Sequence, residues 1–230
     1  RRQRQMCIRD SVLALFDLDD TLLKGDSDVE WSRYLVDKGL SSPDTIEKRK
    51  KYFIDYQNGI LNIDEFLRFQ LSPLARFHLS QLEKMHQEFM ENYIIPRINL
   101  ETVCLLRAHQ KANHRTLLIS ATNEFIIRPI ARYLGIDHTL GVKLETNDRG
   151  CYTGNYLGTP TYREGKVKRL MEWLEQRGEC YQDYEDSYFY SDSFNDVPLL
   201  KKVAHPVAIN PDCKLKDFAT QAGWKIIITS

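Results

Sequence analysis

The 230-residue sequence has no excess of charge: 32 Lys and Arg balance 32 Asp and Glu, a formal net charge of zero. That leaves no electrostatic footprint for nucleic acid or an anionic lipid surface, and neither is an expected partner. No apolar run approaches the roughly 20 residues that span a bilayer, so no membrane segment is expected. Cysteine pairing is missing too. Cys7, Cys104, Cys151, Cys180 and Cys213 are far apart, odd in number and without a C-x-x-C pair. This argues against a disulfide framework or a zinc site and for reduced thiols in a cytoplasmic protein. The six histidines include no pair at metal-ligand spacing, and repeats and low-complexity tracts are absent. What remains is an ordinary globular composition, 42% hydrophobic and 11% aromatic. The length suits one domain, or one domain carrying a large insertion.

Residues 1–11, RRQRQMCIRDS, fit nothing that follows and resemble a translated sequencing-adapter leader, so they are expected to be non-native. Val12–Phe16 is too short for a signal-peptide core and ends directly in acids. It suits a strand buried on both faces, as in a parallel sheet. Residues 27–112 then read as helical. Val29, Trp31, Leu35 and Val36 recur at helical spacing, Asp44 is the expected N-cap of a helix to about Tyr56, and Asn58-Gly59 breaks that helix. From Arg115 the pattern changes. Thr116–Ile119, Ser187–Tyr190, Val207–Ile209 and Lys225–Ile228 read as buried strands, with helices at 124–134 and 161–176 and a small hairpin within 137–160. Strands alternating with helices predict an α/β fold with an open parallel sheet. The domain division expected is a sheet core of residues 12–26 and 113–230, with a helical cap of residues 27–112 inserted after the first strand.

Polar groups recur at the strand ends. Asp17 and Asp19 follow the first strand, Ser120 ends the second, Asp192 and Asp196 follow the third, and Lys166 opens a helix. Open α/β sheets bind ligands at the carboxyl ends of their strands, so remote segments deliver carboxylates, a hydroxyl and a lysine to one edge. Clustered carboxylates raise each other's pKa. Mg²⁺ relieves that, and takes one or two carboxylates together with water and phosphate oxygens. Such a cluster suits metal-assisted phosphoryl transfer: one Asp as nucleophile, a second as acid and then base, with lysine and hydroxyl binding phosphoryl oxygens. Taken singly, Ser120 reads as a strand-end cap and Lys166 as a solvated helix lysine.

Asp17-Leu-Asp19-Asp20-Thr21-Leu22 resembles the first motif of the haloacid dehalogenase-like hydrolase superfamily. Ser120 resembles its second, Lys166 its third, and Asp192-Ser-Phe-Asn195-Asp196 its fourth, in order along the whole chain from residue 12. The resemblance implies a Rossmann-like core. It implies Asp17 as the nucleophile that forms an aspartyl-phosphate and Asp19 as the acid and base. Mg²⁺ would be bound by Asp17, the Asp19 backbone carbonyl and Asp192, with Asp196 and Asn195 supporting that site, and Ser120 and Lys166 would hold the phosphoryl group. An acid at Asp19 favours a phosphatase or phosphomutase over the dehalogenases and transport ATPases of the superfamily.

About a hundred residues separate the first two motifs and fewer than about fifty the second and third, so the large cap follows the first strand. This is similar to subfamily IB, which contains phosphoserine phosphatase and a histidinol-phosphatase. Gly25-Asp26-Ser27-Asp28, Ser120-Ala-Thr-Asn123, Arg163-Glu-Gly-Lys166 and Tyr190-Ser-Asp192 look like the histidinol-phosphatase branch. Asp26 falls where phosphoserine enzymes place the acid that binds the substrate amine, with Asp28 close by; both also suit the start of a helix, whose dipole favours acids. Gln70 falls where those enzymes place a carboxylate-binding arginine, and an amide cannot make the bidentate pair that selects a carboxylate, although Arg68 could supply the charge. The expected partner is thus a small phosphate ester bearing an amine, histidinol phosphate first. Phosphoserine, a phosphomutase reaction and an inactive phospho-ligand binding module are the alternatives. Trp31 and Phe53 are expected in the cap core, Glu47–Lys51 on a solvated helix face, and Gly154–Gly158 is not a phosphate loop because no Gly-Lys-Ser/Thr follows.

Overall fold

The computed structural model describes residues 12–229. The expected leader, with Cys7, lies outside the described residues. Strand β1 (Val12–Phe16) is followed by helices α1 (Ser27–Asp37), α2 (Asp44–Asn58), α3 (Ile63–Leu71), α4 (Leu79–Phe89) and α5 (Leu100–Lys111). Then come β2 (Arg115–Asn123), α6 (Glu124–Tyr133), β3 (His138–Thr146), β4 (Tyr152–Leu157), α7 (Glu164–Gln176), β5 (Asp186–Ser191), α8 (Val197–Leu200), β6 (His205–Ile209), α9 (Cys213–Ala222) and β7 (Lys225–Ile227). The order across the sheet is β4-β3-β2-β1-β5-β6-β7. All neighbours are parallel except β4, which returns antiparallel to β3. The α/β parallel-sheet fold expected from the sequence is the one observed.

Strands β1, β2 and β5 carry almost only buried side chains because helices cover both faces of the sheet. Leu13, Leu15, Leu117, Ile119 and Phe189 pack with Leu170, Leu174 and Leu215 on one side. Ala14, Phe16 and Leu118 join Ile126, Ile127 and Ile130 and the helices that follow β1 on the other. Since β1 pairs with β2 on one edge and β5 on the other, the chain direction switches sides at its tip, which opens a crevice there.

Several local expectations are corrected. The small hairpin read within 137–160 is present as β3 and β4, and it also joins the main sheet: β3 pairs with β2 in parallel from Leu117 opposite His138. Asp44 is the first helical residue of α2 and not its cap, since Pro43 occupies that position without a side-chain bond. Helix α7 begins at Glu164, three residues later than read, because Thr161 is diverted to donate to Ser120 O at 2.5 Å and Arg163 has a positive φ of 52°. Helix α5 reaches the sheet through His109, whose Nε2 is 2.8 Å from Tyr190 Oη on β5. Gly154 lies within β4, and Trp31 is buried in an aromatic cluster with Tyr34, Phe89 and Phe125. Cys104, Cys151, Cys180 and Cys213 are free thiols, and no helix among the described residues is long and apolar enough to cross a membrane.

Candidate active site

Asp17 leaves β1 with its amide donating to Tyr190 O at 2.9 Å, which fixes it at the crevice. Lys166, in the first turn of α7, reaches Asp17 Oδ1 at 2.9 Å and Asp196 Oδ2 at 2.6 Å, and its side chain is only 2% exposed. Helix α7 comes this close because residue 165 is glycine: a Cβ there would sit 2.0 Å from Pro160 O. Ser191 Oγ donates to the same Asp196 oxygen at 2.7 Å. Asp196 thus lies behind the lysine and fixes its direction.

β2 runs past Ser120 to Asn123 instead of ending at Ser120, with a register irregularity between Ile119 and Asn123. The sequence explains the irregularity: Ser120 Oγ accepts from Thr122 N at 3.0 Å, a local bond that competes with the strand ladder. Asp19 receives Ser27 N on Oδ1 at 2.6 Å, and Thr122 Oγ1 and Ser120 Oγ on Oδ2 at 2.8 and 3.3 Å. Asp192 accepts from Thr21 Oγ1 at 3.3 Å.

Asp26 caps α1, accepting from Asp28 N and Val29 N at 2.8 and 2.9 Å. Asp28 is 5% exposed and faces Thr122 Oγ1 and Asn123 Nδ2 at 3.3 and 3.4 Å. Asp17, Asp19, Asp26, Asp28, Ser120, Lys166 and Asp192 all line one cleft of about 580 Å³. Asn195 does not. Its amide turns to Arg163 Nε and Tyr56 O, at 3.0 and 3.2 Å.

Burial dominates the electrostatics. It pushes Asp17 up to about 7, with Lys166 restraining the rise and Asp196 and Asp19 adding to it. Burial and then the Asp26 charge push Asp19 to about 7. Burial likewise raises Asp28, against the pull of Arg49, and raises Asp192, where Asp17 adds to the rise. For Lys166 burial opposes the charge, and the facing carboxylates of Asp17 and Asp196 outweigh it, so the ammonium persists. Among the described residues no three His, Cys, Asp or Glu side chains converge as a metal cluster. Asp19 in particular spends its carboxylate on Ser27 and Thr122. Two crowded carboxylates, Asp17 and Asp192, remain beside Lys166 and Ser120. They fit Mg²⁺, which takes one or two carboxylates and leaves the other positions to water and phosphate.

The far wall of the cleft was less legible. Arg49, read within a solvated run, is 7% exposed and lines the cleft with Tyr52, Phe53 and Tyr56. The spacing 49, 52, 53, 56 is one helical face, the signal that the surrounding lysines hid. Phe53 is 44% exposed at the cleft and not in the cap core. Gln70 is buried but outside the cleft lining, so its comparison with a substrate-facing arginine is withdrawn.

Comparison with known proteins agrees with this geometry. The profile of haloacid dehalogenase-like hydrolases matches residues 14–201. The chain is 50% identical over 216 residues to a histidinol-phosphatase of Neisseria meningitidis serogroup C (strain 8013), covering 94% of this chain and 97% of that one. It is 29% identical over 227 residues to a phosphoserine phosphatase of Mycobacterium tuberculosis (strain ATCC 25618 / H37Rv), covering 97% and 72%. A solved protein of unknown function from Bordetella pertussis Tohama I superposes with a TM-score of 0.88 at 40% identity, covering 95% and 98%. A substrate-bound phosphoserine phosphatase shares the fold at a TM-score of 0.66 and 22% identity, covering 90% of each chain. With the motif residues gathered at one cleft and the family profile covering most of the chain, the chain belongs to the haloacid dehalogenase-like hydrolases, among relatives that are phosphatases.

Proposed function

We propose that this hydrolase is a Mg²⁺-dependent phosphomonoester phosphatase that works through an aspartyl-phosphate on a small amine-bearing ester, histidinol phosphate first. The observation that carries the reading is the bridging of Asp17 and Asp196 by one buried lysine, beside Asp19 and Ser120 in a single cleft. In the first step an Asp17 carboxylate oxygen bonds to phosphorus as the ester P–O bond breaks, and Asp19 gives the leaving alcohol its proton. In the second, Asp19 takes a proton from water as the water oxygen bonds to phosphorus. Inorganic phosphate leaves and the Asp17 carboxylate is restored. Lys166 and Ser120 hold the equatorial oxygens through both steps. Mg²⁺ held by Asp17, Asp192 and the Asp19 carbonyl would supply positive charge to the phosphoryl oxygens.

For the leaving group, Asp28 offers a carboxylate to an amine, and Tyr52, Phe53, Tyr56 and Phe66 offer flat apolar surface suited to an imidazole. The Neisseria relative supports the same choice. Arg49 favours a second reading, phosphoserine, since its guanidinium on the cleft wall suits a substrate carboxylate. A phosphate-release assay with Mg²⁺ decides between them: histidinol phosphate is expected to give the higher kcat/KM, and the reverse ranking transfers the assignment to phosphoserine.

Asp28→Asn tests the amine contact. Its expected effect is a rise in KM for histidinol phosphate of about tenfold, the worth of one charge-assisted bond, with kcat nearly unchanged. An unaltered KM in steady-state kinetics would remove Asp28 from the substrate site.

A further inference from the structure

Arg163 has a backbone that arginine rarely adopts, φ 52° and ψ −122°. Such a conformation is strained for a residue with a Cβ and persists only where its surroundings hold it. The surroundings here are polar and specific. Nε donates to Asn195 Oδ1 at 3.0 Å and Nη2 donates to Gly59 O at 2.8 Å. The other end of the Asn195 amide donates to Tyr56 O at 3.2 Å. Tyr56 and Gly59 belong to the C-terminal turn and cap of α2, where the last carbonyls carry the negative end of the helix dipole; Tyr56 O already accepts from the Gly59 amide at 3.0 Å and has a second lone pair to offer. A guanidinium is the fitting donor there. Gly59 is shaped for it: φ is +72°, and a Cβ would lie 2.2 Å from Arg163 Nη2. A further stitch joins Tyr56 Oη and Ser193 Oγ at 3.2 Å.

These bonds connect two parts of the site that the chain makes separately. Asn195 and Ser193 stand on the loop that carries Asp192 and Asp196, and α2 carries the Arg49, Tyr52, Phe53 and Tyr56 wall. We propose that Arg163 is a positioning residue that clasps the end of α2 to the Asp192–Asp196 loop, holding the leaving-group wall over the strand tips while the ester reacts. The proposal rests on the phosphatase reading. From this backbone the Arg163 side chain spans both acceptors, and those bonds hold the strained conformation.

Arg163→Gly separates this role from a structural one. Glycine relieves the strain, so the thermal midpoint is expected to stay level or rise. At the same time kcat/KM for the best ester falls by about tenfold or more, mainly through KM. Gly59→Ala, which pushes the guanidinium away, is expected to reproduce the loss. The double variant is expected to be little worse than either single one, because both remove the same contact. Arg163→Lys, which reaches one acceptor at a time, is expected to recover part of the activity. Amide hydrogen exchange at residues 58–61 is expected to quicken in Arg163→Gly. Wild-type kcat/KM in Arg163→Gly overturns the proposal, as do fully additive losses in the double variant or unchanged exchange. Should the wild type release phosphate from no ester, the phosphatase reading fails, and the exchange comparison still decides whether the clasp exists.

Discussion

Asp17→Asn is expected to lower phosphate release by at least about a thousandfold with every ester, the scale on which removal of a nucleophile acts, while the protein stays folded. The argument for intact folding is local. The Asp17 amide keeps its bond to Tyr190 O, and Lys166 keeps Asp196 at 2.6 Å, so neither the strand tip nor the ammonium loses its anchor. The neutral amide also ends the repulsion that Asp17 feels from Asp196 and Asp19. Circular dichroism and a thermal melt check the fold, and a phosphate-release assay checks the chemistry. Activity near that of the wild type would mean that another group attacks phosphorus.

Lys166→Met should be the more damaging change for stability. It removes a buried ammonium, 2% exposed, that faces both Asp17 and Asp196. Stripping one partner from a buried ion pair costs about 3–5 kcal/mol, and chemical denaturation at pH 8 is the measurement. The pH dependence follows from the carboxylates. Asp17 is already raised to about 7 with Lys166 restraining it, so in the variant its folded pKa rises further above the unfolded value. A group raised in this way favours the folded state below its unfolded pKa and loses that contribution as pH climbs through its folded pKa. The deficit relative to wild type should therefore be small near pH 4, grow through neutrality and be largest at pH 8. Phosphate release should vanish as well, because the equatorial oxygens lose their ammonium. A deficit independent of pH would show that Lys166 matters for packing alone.

The meeting of the candidate residues at one cleft is legible because they sit where strands end. Asp17, Ser120 and Asp192 each close or follow a run of apolar residues too continuous for a half-exposed strand, and that placement alone sends them to one edge of a parallel sheet. Their convergence is thus readable from position. The substrate wall is not. Arg49 stands among lysines, and nothing local distinguishes a helix face that meets a cleft from one that meets water. Phe53 carried the opposite ambiguity, an aromatic that looks like core and lines the cleft half-exposed. The hairpin of β3 and β4 reads from its own residues, but its junction with the main sheet does not, because the parallel pairing of β3 with β2 is a long-range contact. Asn195 reads as part of a motif, but its partner Tyr56 lies 139 residues away on α2, beyond the reach of local pattern.

One consequence follows from the wall on α2. The residues that would grip a leaving group, at positions 49, 52, 53 and 56, share a single helical stripe, and none of them supplies an atom to bond making or breaking at phosphorus. A lineage could therefore change its diet by rewriting a few codons of one exon-sized stretch, with the reaction centre inherited untouched. Libraries diversified along that stripe alone are the natural starting point for evolving this scaffold toward new phosphate esters.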